Sequence, residues 1–281
     1  MFTKRTDRWL AGLALALFAQ AAFADLMLFP TRIVFDKQRA AQVQLMNPGS
    51  EPETYRIHLV NRRMGLNGEF ISIETPGPGE QFADAMLMYS PHQVTIAPGG
   101  SQIVRIILRK PAGLTDGEYR SHLQFDRVAE ASGGSNVEDL ARAGGGGVGV
   151  VVQALIGASI PVIVRHGQTN ASVTLSDVQV LPPSSSNPQG AIALQMNREG
   201  NRSVYGDLVA TVTTPGGVTL EVAKAGGVAV YVPNAARRAV MPLQLPAGAV
   251  GLPVGGVLKV SFRDRPDAGG KLLAETSLAL P

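Results

Sequence analysis

Residues 144–164 read GGGGVGVVVQALIGASIPVIV, and this stretch decides the fold. From Val148 onward the run is rich in β-branched residues and lacks helical spacing, so it predicts a β-strand. It is far longer than the roughly 5 to 6 residues of an ordinary strand. Residues 131–147, which precede it, are mostly glycine, serine, alanine and charged residues. That composition is typical of a flexible loop.

Alternate positions of this run are apolar: Val148, Val150, Val152, Ala154 and Ile156. Successive side chains of a strand point to opposite faces, so these five would form one row. An exposed strand edge pairs readily with other chains, and such a row could fill pockets of a partner while the backbone extends the partner's sheet. The alternative is a central sandwich strand buried on both faces. Periodicity alone does not separate the two.

The chain on both sides of this run is also predicted to be β. Short alternating or β-branched segments are closed by Gly, Pro, Asn or Asp, and no long stretch has helical periodicity. The predicted strands are 31–35, 41–47, 54–61, 103–108, 119–128 and 148–164, then 173–181, 191–197, 205–212, 228–232 and 257–263. This spacing favours β-sandwiches.

A polar break at residues 165–170 separates two sets of strands. We therefore expect an N-terminal domain over residues 25–165 and a C-terminal β-sandwich domain over 166–281. Each is long enough to bury a core of its own.

The N-terminus has the three-part pattern of a cleaved secretory signal. Basic residues come first, an apolar run spans 10–18, and small residues end at Ala24. We expect cleavage after residue 24, export, and no membrane insertion, since no apolar run reaches the ~18 residues of a membrane span.

Charge and composition exclude several classes of protein. The chain has 25 basic and 22 acidic residues, and loss of the predicted leader lowers its net charge from +3 to about +1. No basic run remains that would indicate nucleic-acid binding. With no cysteine, there is no disulfide scaffold, thiol nucleophile or cysteine metal site.

The sequence also predicts no catalytic site, no metal and no cofactor. The histidines are scattered without the spacing of metal ligands, and they are His58, His92, His122 and His166. His58 and His122 fall in predicted strands, where we expect them on a sheet surface. No nucleophile–base pair or carboxylate pair is evident.

Several segments in this order and spacing resemble the PapD-like periplasmic pilus-assembly chaperones of the chaperone–usher pathway. They are FPTRIVF at 29–35, NPG at 47–49, IAPG at 96–99 with VRI at 104–106, DGEYR at 116–120 and SIPVIV at 159–164. The resemblance covers most of the predicted mature chain. It implies an all-β fold of two immunoglobulin-like β-sandwich domains set at an angle.

The resemblance also implies the site residues. The strand from Val148 to Ile160 would be the donor strand that completes a subunit's unfinished sandwich.

The better-known branch grips the subunit's C-terminal carboxylate with an arginine, matched by Arg32, and a lysine, whose place is taken here by Pro161. The archaic branch, closest in pattern, uses a Tyr-Arg pair matched by Tyr119 and Arg120, so Arg120 is the expected principal anchor. A guanidinium suits this task because it can donate two parallel hydrogen bonds to a carboxylate.

Glu118, Arg165 and Asp264 occupy places that resemble an interdomain ion-pair cluster of the family. Read without the family, they are linker and loop charges exposed to water.

The function implied is that of a periplasmic chaperone that binds pilus subunits and delivers them to an outer-membrane usher. The alternative is an exported immunoglobulin-like structural protein, an adhesin or a pilus subunit. Two domains, no cysteine and a candidate donor strand in mid-chain favour the chaperone. The sequence leaves open whether the free protein self-associates to cover its strand edge.

Overall fold

The computed structural model describes residues 26–128, 157–246, 248–249 and 251–281. Over these residues the chain forms β-strands and two single-turn 3-10 helices, Asp84–Met86 and Pro266–Ala268. No helix in these ranges is long and apolar enough to cross a bilayer. The predicted leader and the five residues of the apolar row lie outside the described residues.

The first ten strands form two facing sheets. They are β1 Met27–Phe29, β2 Ile33–Phe35, β3 Ala40–Met46, β4 Glu53–Met64, β5 Phe70–Ile73, β6 Leu87–Ser90, β7 Gln93–Ile96, β8 Ser101–Leu108, β9 Gly117–Val128 and β10 Ala158–His166. One sheet has the order β1-β3-β8-β6, and the other has the order β2-β10-β9-β4-β5 with β7 also paired to β4. Alternate apolar residues of both sheets meet in one core, in which Phe35, Val43, Val104 and Phe125 are fully buried.

The remaining strands form a second pair of sheets. They are β11 Ala171–Leu181, β12 Ala191–Gly200, β13 Val204–Thr213, β14 Thr219–Val230, β15 Ala236–Pro242, β16 Val257–Arg263 and β17 Leu272–Ala279. Their orders are β11-β12-β15 and β14-β13-β16-β17. A separate core fills the space between them, with Met196, Leu208, Val260 and Phe262 fully buried.

The predicted fold class is confirmed, because the chain is built of two immunoglobulin-like β-sandwiches. The longest predicted strands correspond to β4, β9, β10, β11 and β13. Sequence analysis missed β1, β5, β6, β7, β15 and β17, and it found only the end of β14. Gly226 and Gly227 lie in β14, and β5 carries mostly exposed residues, so neither shows the apolar alternation that marks a half-buried strand.

The strand β10 combines an interior part with an edge part. Residues 158–166 pair with β9, but only Val162–Val164 also pair with β2. Among the described strands, none pairs with the other side of residues 158–161. Residues 158–161 therefore leave one side of β10 open among the described strands, and this edge closes where β2 begins.

The two sandwiches meet across a small apolar cluster. Met64 and Ile163 of the first sandwich pack against Ala229 and Tyr231 of the second. Two carbonyls at the end of β4 and just after it reinforce the junction. The backbone N–H of Arg238 donates to the Leu66 carbonyl at 2.7 Å, and Asn234 Nδ2 donates to the Met64 carbonyl at 2.9 Å.

Candidate functional site

Arg32, which directly precedes β2, and Arg120 of β9 lie on one face of the same sheet. Arg120 on β9 stands opposite Ile163 on β10, and Ile163 stands opposite Val34 on β2. Arg32 lies two residues before Val34, so strand alternation places it on the same face. Because Ile163 packs against Tyr231, this is the face that meets the second sandwich.

The Tyr231 ring brings the two guanidinium groups close together. Arg120 Cζ lies 4.3 Å from the centroid of this ring, and Arg32 Cζ lies 5.9 Å from it and 4.5 Å from the centroid of Tyr205. Aromatic faces attract cations, which offsets part of the repulsion between two like charges. Burial raises the pKa of Tyr231, so this phenol is neutral at physiological pH. Nothing in the sequence around Tyr231 marked it for this position.

The two guanidinium groups retain donors that no described residue uses. Arg120 Nη2 donates to the Arg62 carbonyl at 2.9 Å, and Arg32 Nη2 donates to Ser203 Oγ at 3.3 Å. In the described part of the chain, Arg120 Nε and Nη1 and Arg32 Nε are buried without a hydrogen-bond partner. Burial also lowers the pKa of Arg120. A desolvated cation with free donors is an arrangement that a carboxylate would satisfy.

An open cleft adjoins Arg32. It has a volume of about 640 Å³ and is lined by residues of both sandwiches, among them Phe29, Arg32, Tyr205 and Asp267. The Phe29 side chain is 76% exposed at its mouth. A chain segment could therefore approach Arg32 from solvent.

Glu118 and Arg165 form an ion pair at the junction, with 3.2 Å between Arg165 Nε and Glu118 Oε2. The same carboxylate oxygen accepts the backbone N–H of Ser203, at 3.2 Å, from the second sandwich. The Glu118 side chain is 1% exposed. This carboxylate therefore links the two sandwiches directly.

Asp264 does not take part in the Glu118–Arg165 ion pair. Its backbone N–H donates to the Lys271 carbonyl at 2.8 Å, in the turn between β16 and β17. Among the ion pairs of the described residues, Asp264 has none. The second sandwich supplies a backbone N–H, from Ser203, where the sequence predicted a carboxylate.

His122 was expected on a sheet surface and is instead buried, with 2% of its surface exposed. It lies on β9 two residues from Arg120, on the same face. Within the described ranges, neither of its ring nitrogens has a hydrogen-bond partner. Burial, assisted by the charges of Arg120 and Arg62, lowers the pKa of His122 to about 3.

We expect His122 to make the protein less stable in mild acid. Its pKa is lower in the folded protein than in the unfolded chain, so as the pH falls below 6.5 the unfolded chain takes up a proton that the folded protein does not. The free energy of unfolding should drop by about 2 kcal/mol from this group between pH 7.5 and pH 5. Denaturant unfolding at both pH values checks this: a His122→Gln variant should lose about 2 kcal/mol less than the wild type. Equal losses would contradict it.

Comparison with known proteins finds no matching family model and no matching curated protein. Among solved structures, the chain is similar to the CupB2 chaperone of Pseudomonas aeruginosa at 13% identity and a TM-score of 0.44, covering 91% of this chain and 100% of that one. It is similar to a chain of the CsuC–CsuE chaperone–tip adhesion subunit complex from archaic Csu pili of Acinetobacter baumannii at 14% identity and 0.43, covering 92% and 98%. A chain of the SafA pilin–SafB chaperone complex of Salmonella enterica matches at 15% identity and 0.40, covering 91% and 96%. Each structure contains a chaperone, the class that the sequence resembles.

Proposed function

We propose that this chain is a periplasmic chaperone that binds and stabilises pilus subunits by donor-strand complementation and delivers them to an outer-membrane usher. It is a binding protein rather than an enzyme. One observation carries the proposal. At one point of the sheet, an open strand edge lies next to two arginines that each have a buried N–H donor without a partner among the described residues.

The register of the sheet defines that point. Val162 of β10 pairs with Ile33 of β2 in parallel, so β2 occupies the edge from residue 162 onward. A strand added beside β10 has room only up to Pro161. Arg32 directly precedes Ile33 and stands at this end of the open edge, so a partner strand running parallel to β10 would finish there.

A chain that ends at this position presents its terminal carboxylate to a cationic site. Arg32 lies at the end of the edge, and Arg120 lies on β9, across β10 from that edge and on the same face, with its Nε and Nη1 donors unused by any described residue. Two charge-assisted hydrogen bonds to one guanidinium would fix the carboxylate, and with it the register of the whole added strand. Arg120 is the principal anchor in this proposal, and Arg32 supports it.

Affinity along the strand would come from the apolar row at Val148, Val150, Val152, Ala154 and Ile156. These residues lie outside the described ranges, and their role rests on the sequence pattern. The side chains are small or medium in size, which suits shallow pockets of a subunit that lacks one strand of its own. Burying such side chains would contribute about 1.5–3 kcal/mol for each fully covered valine or isoleucine.

Replacing Val152 or Ile156 with Asp should abolish the rescue of a co-expressed subunit. A carboxylate would then have to enter an apolar pocket without a partner, which costs more than the pocket contact supplied. The measurement is the amount of soluble subunit in the periplasm. Ser135→Asp, in the polar loop before the run, is the matched control and should behave as the wild type. Full rescue by both strand variants would show that the run is only a core strand.

A further inference from the structure

The sheet face that carries Arg120 continues into a second group of unsatisfied polar atoms around His122. His122 pairs with Val60 across β4 and β9, and Arg62 lies two residues further along β4 on the same face. Arg62 Nη2 donates to Gln124 Oε1 at 2.7 Å. Over the ranges that the structure describes, Arg62 Nε is buried without a partner, as are both His122 nitrogens and two Arg120 nitrogens.

Three neighbouring side chains thus present five buried nitrogens to one region. Buried polar groups in folded proteins are nearly always hydrogen-bonded, so a cluster of this kind needs an explanation. The two arginines can only donate, and a neutral imidazole donates from one nitrogen. Such a set of donors with two positive charges fits an anion.

Phe70 covers this region from the β4–β5 hairpin. Its ring meets the His122 ring edge-on with 5.0 Å between centroids, and Arg120 Cζ lies 5.9 Å from its centroid. Phe70 also contacts the Tyr231 ring at 6.0 Å between centroids. Yet its side chain is 39% exposed, so solvent lies directly behind it. Rotation of this one ring would open the region without unpacking either core.

We propose that His122, Arg62 and Arg120 form one anion pocket beneath Phe70, and that this pocket takes the terminal carboxylate of a bound subunit. This rests on the proposed function in assigning the carboxylate to a subunit. It adds two ligands, His122 and Arg62, and a cover that must move when the carboxylate enters. In the free protein Phe70 excludes water from the pocket and keeps the donors from other anions.

Acetate, the smallest carboxylate probe, tests the pocket in the isolated mature chain. Histidine ring signals are followed by NMR during titration with sodium acetate, and again with sodium chloride at matched ionic strength. The His122 signal is assigned by its absence in His122→Gln. We expect it to move saturably with acetate and not with chloride.

A variant without the Phe70 ring tests whether this ring covers the pocket. Phe70→Ala should lower the acetate concentration at half-saturation roughly two- to tenfold, the range that aromatic contacts of this kind represent. Ile71→Ala, the neighbouring exposed position of the same hairpin, should leave it unchanged. A His122 signal that ignores acetate in both wild type and Phe70→Ala, or that moves equally with chloride, would overturn the pocket. The proposed function is tested separately, by measuring the capture of a whole subunit by the wild type and by Arg120→Ala. A negative acetate result would therefore overturn the pocket and leave the proposed function intact.

Discussion

Replacing Arg120 with alanine is expected to weaken the capture of a subunit by roughly 30-fold to several thousand-fold, the effect of truncating one partner of a buried charge pair. The guanidinium is desolvated, and its Nε and Nη1 donors are unused by described residues in the free protein. Loss of the side chain would leave the subunit carboxylate buried without its main partner. Affinity measured with purified subunit, or the yield of co-purified complex, gives the size of the effect.

The free Arg120→Ala protein should stay folded, because the Arg120 side chain donates one hydrogen bond to the described residues and burial disfavours its charge. Circular dichroism and a thermal melt establish this before binding is measured. Arg105→Ala is the matched control, since Arg105 is exposed on the outer face of the other sheet. If the Arg120→Ala protein captures subunit as well as the Arg105→Ala protein does, Arg120 does not anchor the subunit carboxylate.

Replacing Glu118 with alanine should lower the free energy of unfolding by about 3–5 kcal/mol, the effect of leaving one partner of a buried ion pair uncompensated. Arg165 would lose its counter-ion, and the backbone N–H of Ser203 would lose its acceptor. Chemical denaturation measures this loss. Because the carboxylate joins the two sandwiches, their relative orientation should also become variable, which small-angle scattering detects.

Glu199→Ala serves as the control for Glu118→Ala, because Glu199 is exposed on β12. Its change in the free energy of unfolding should be within about 0.5 kcal/mol of zero. A Glu118→Ala protein as stable as Glu199→Ala, with an unchanged scattering profile, would show that this pair does not hold the sandwiches together.

The sequence predicted the fold because the fold depends on local signals. Alternating apolar residues and turn residues such as Asn47-Pro48-Gly49 mark strands and their ends without knowledge of the rest of the chain. Strands whose residues are mostly exposed, such as β5, lack that alternation and were missed. Phe70 lies in β5, so for the same reason the sequence did not indicate the residue that we propose covers the pocket.

The surroundings of the two arginines could not be predicted, since they depend on contacts between distant parts of the chain. Tyr231 lies in an apolar segment typical of an ordinary core, and only the packing of one sandwich on the other brings its ring close to both Arg32 and Arg120. Ser203 reaches Glu118 through its backbone N–H, a donor that almost every residue type carries. The family resemblance implied Asp264 instead, and its backbone N–H donates to the Lys271 carbonyl in the turn between β16 and β17.

The most direct measurement is the mass of the species recovered when this chain and a candidate pilus subunit are co-expressed in a bacterial periplasm. We predict a soluble complex with the mass of one chain and one subunit, and little soluble subunit when this chain is omitted. A subunit that stays soluble to the same extent without this chain, and no one-to-one species on native mass measurement, would contradict the chaperone function.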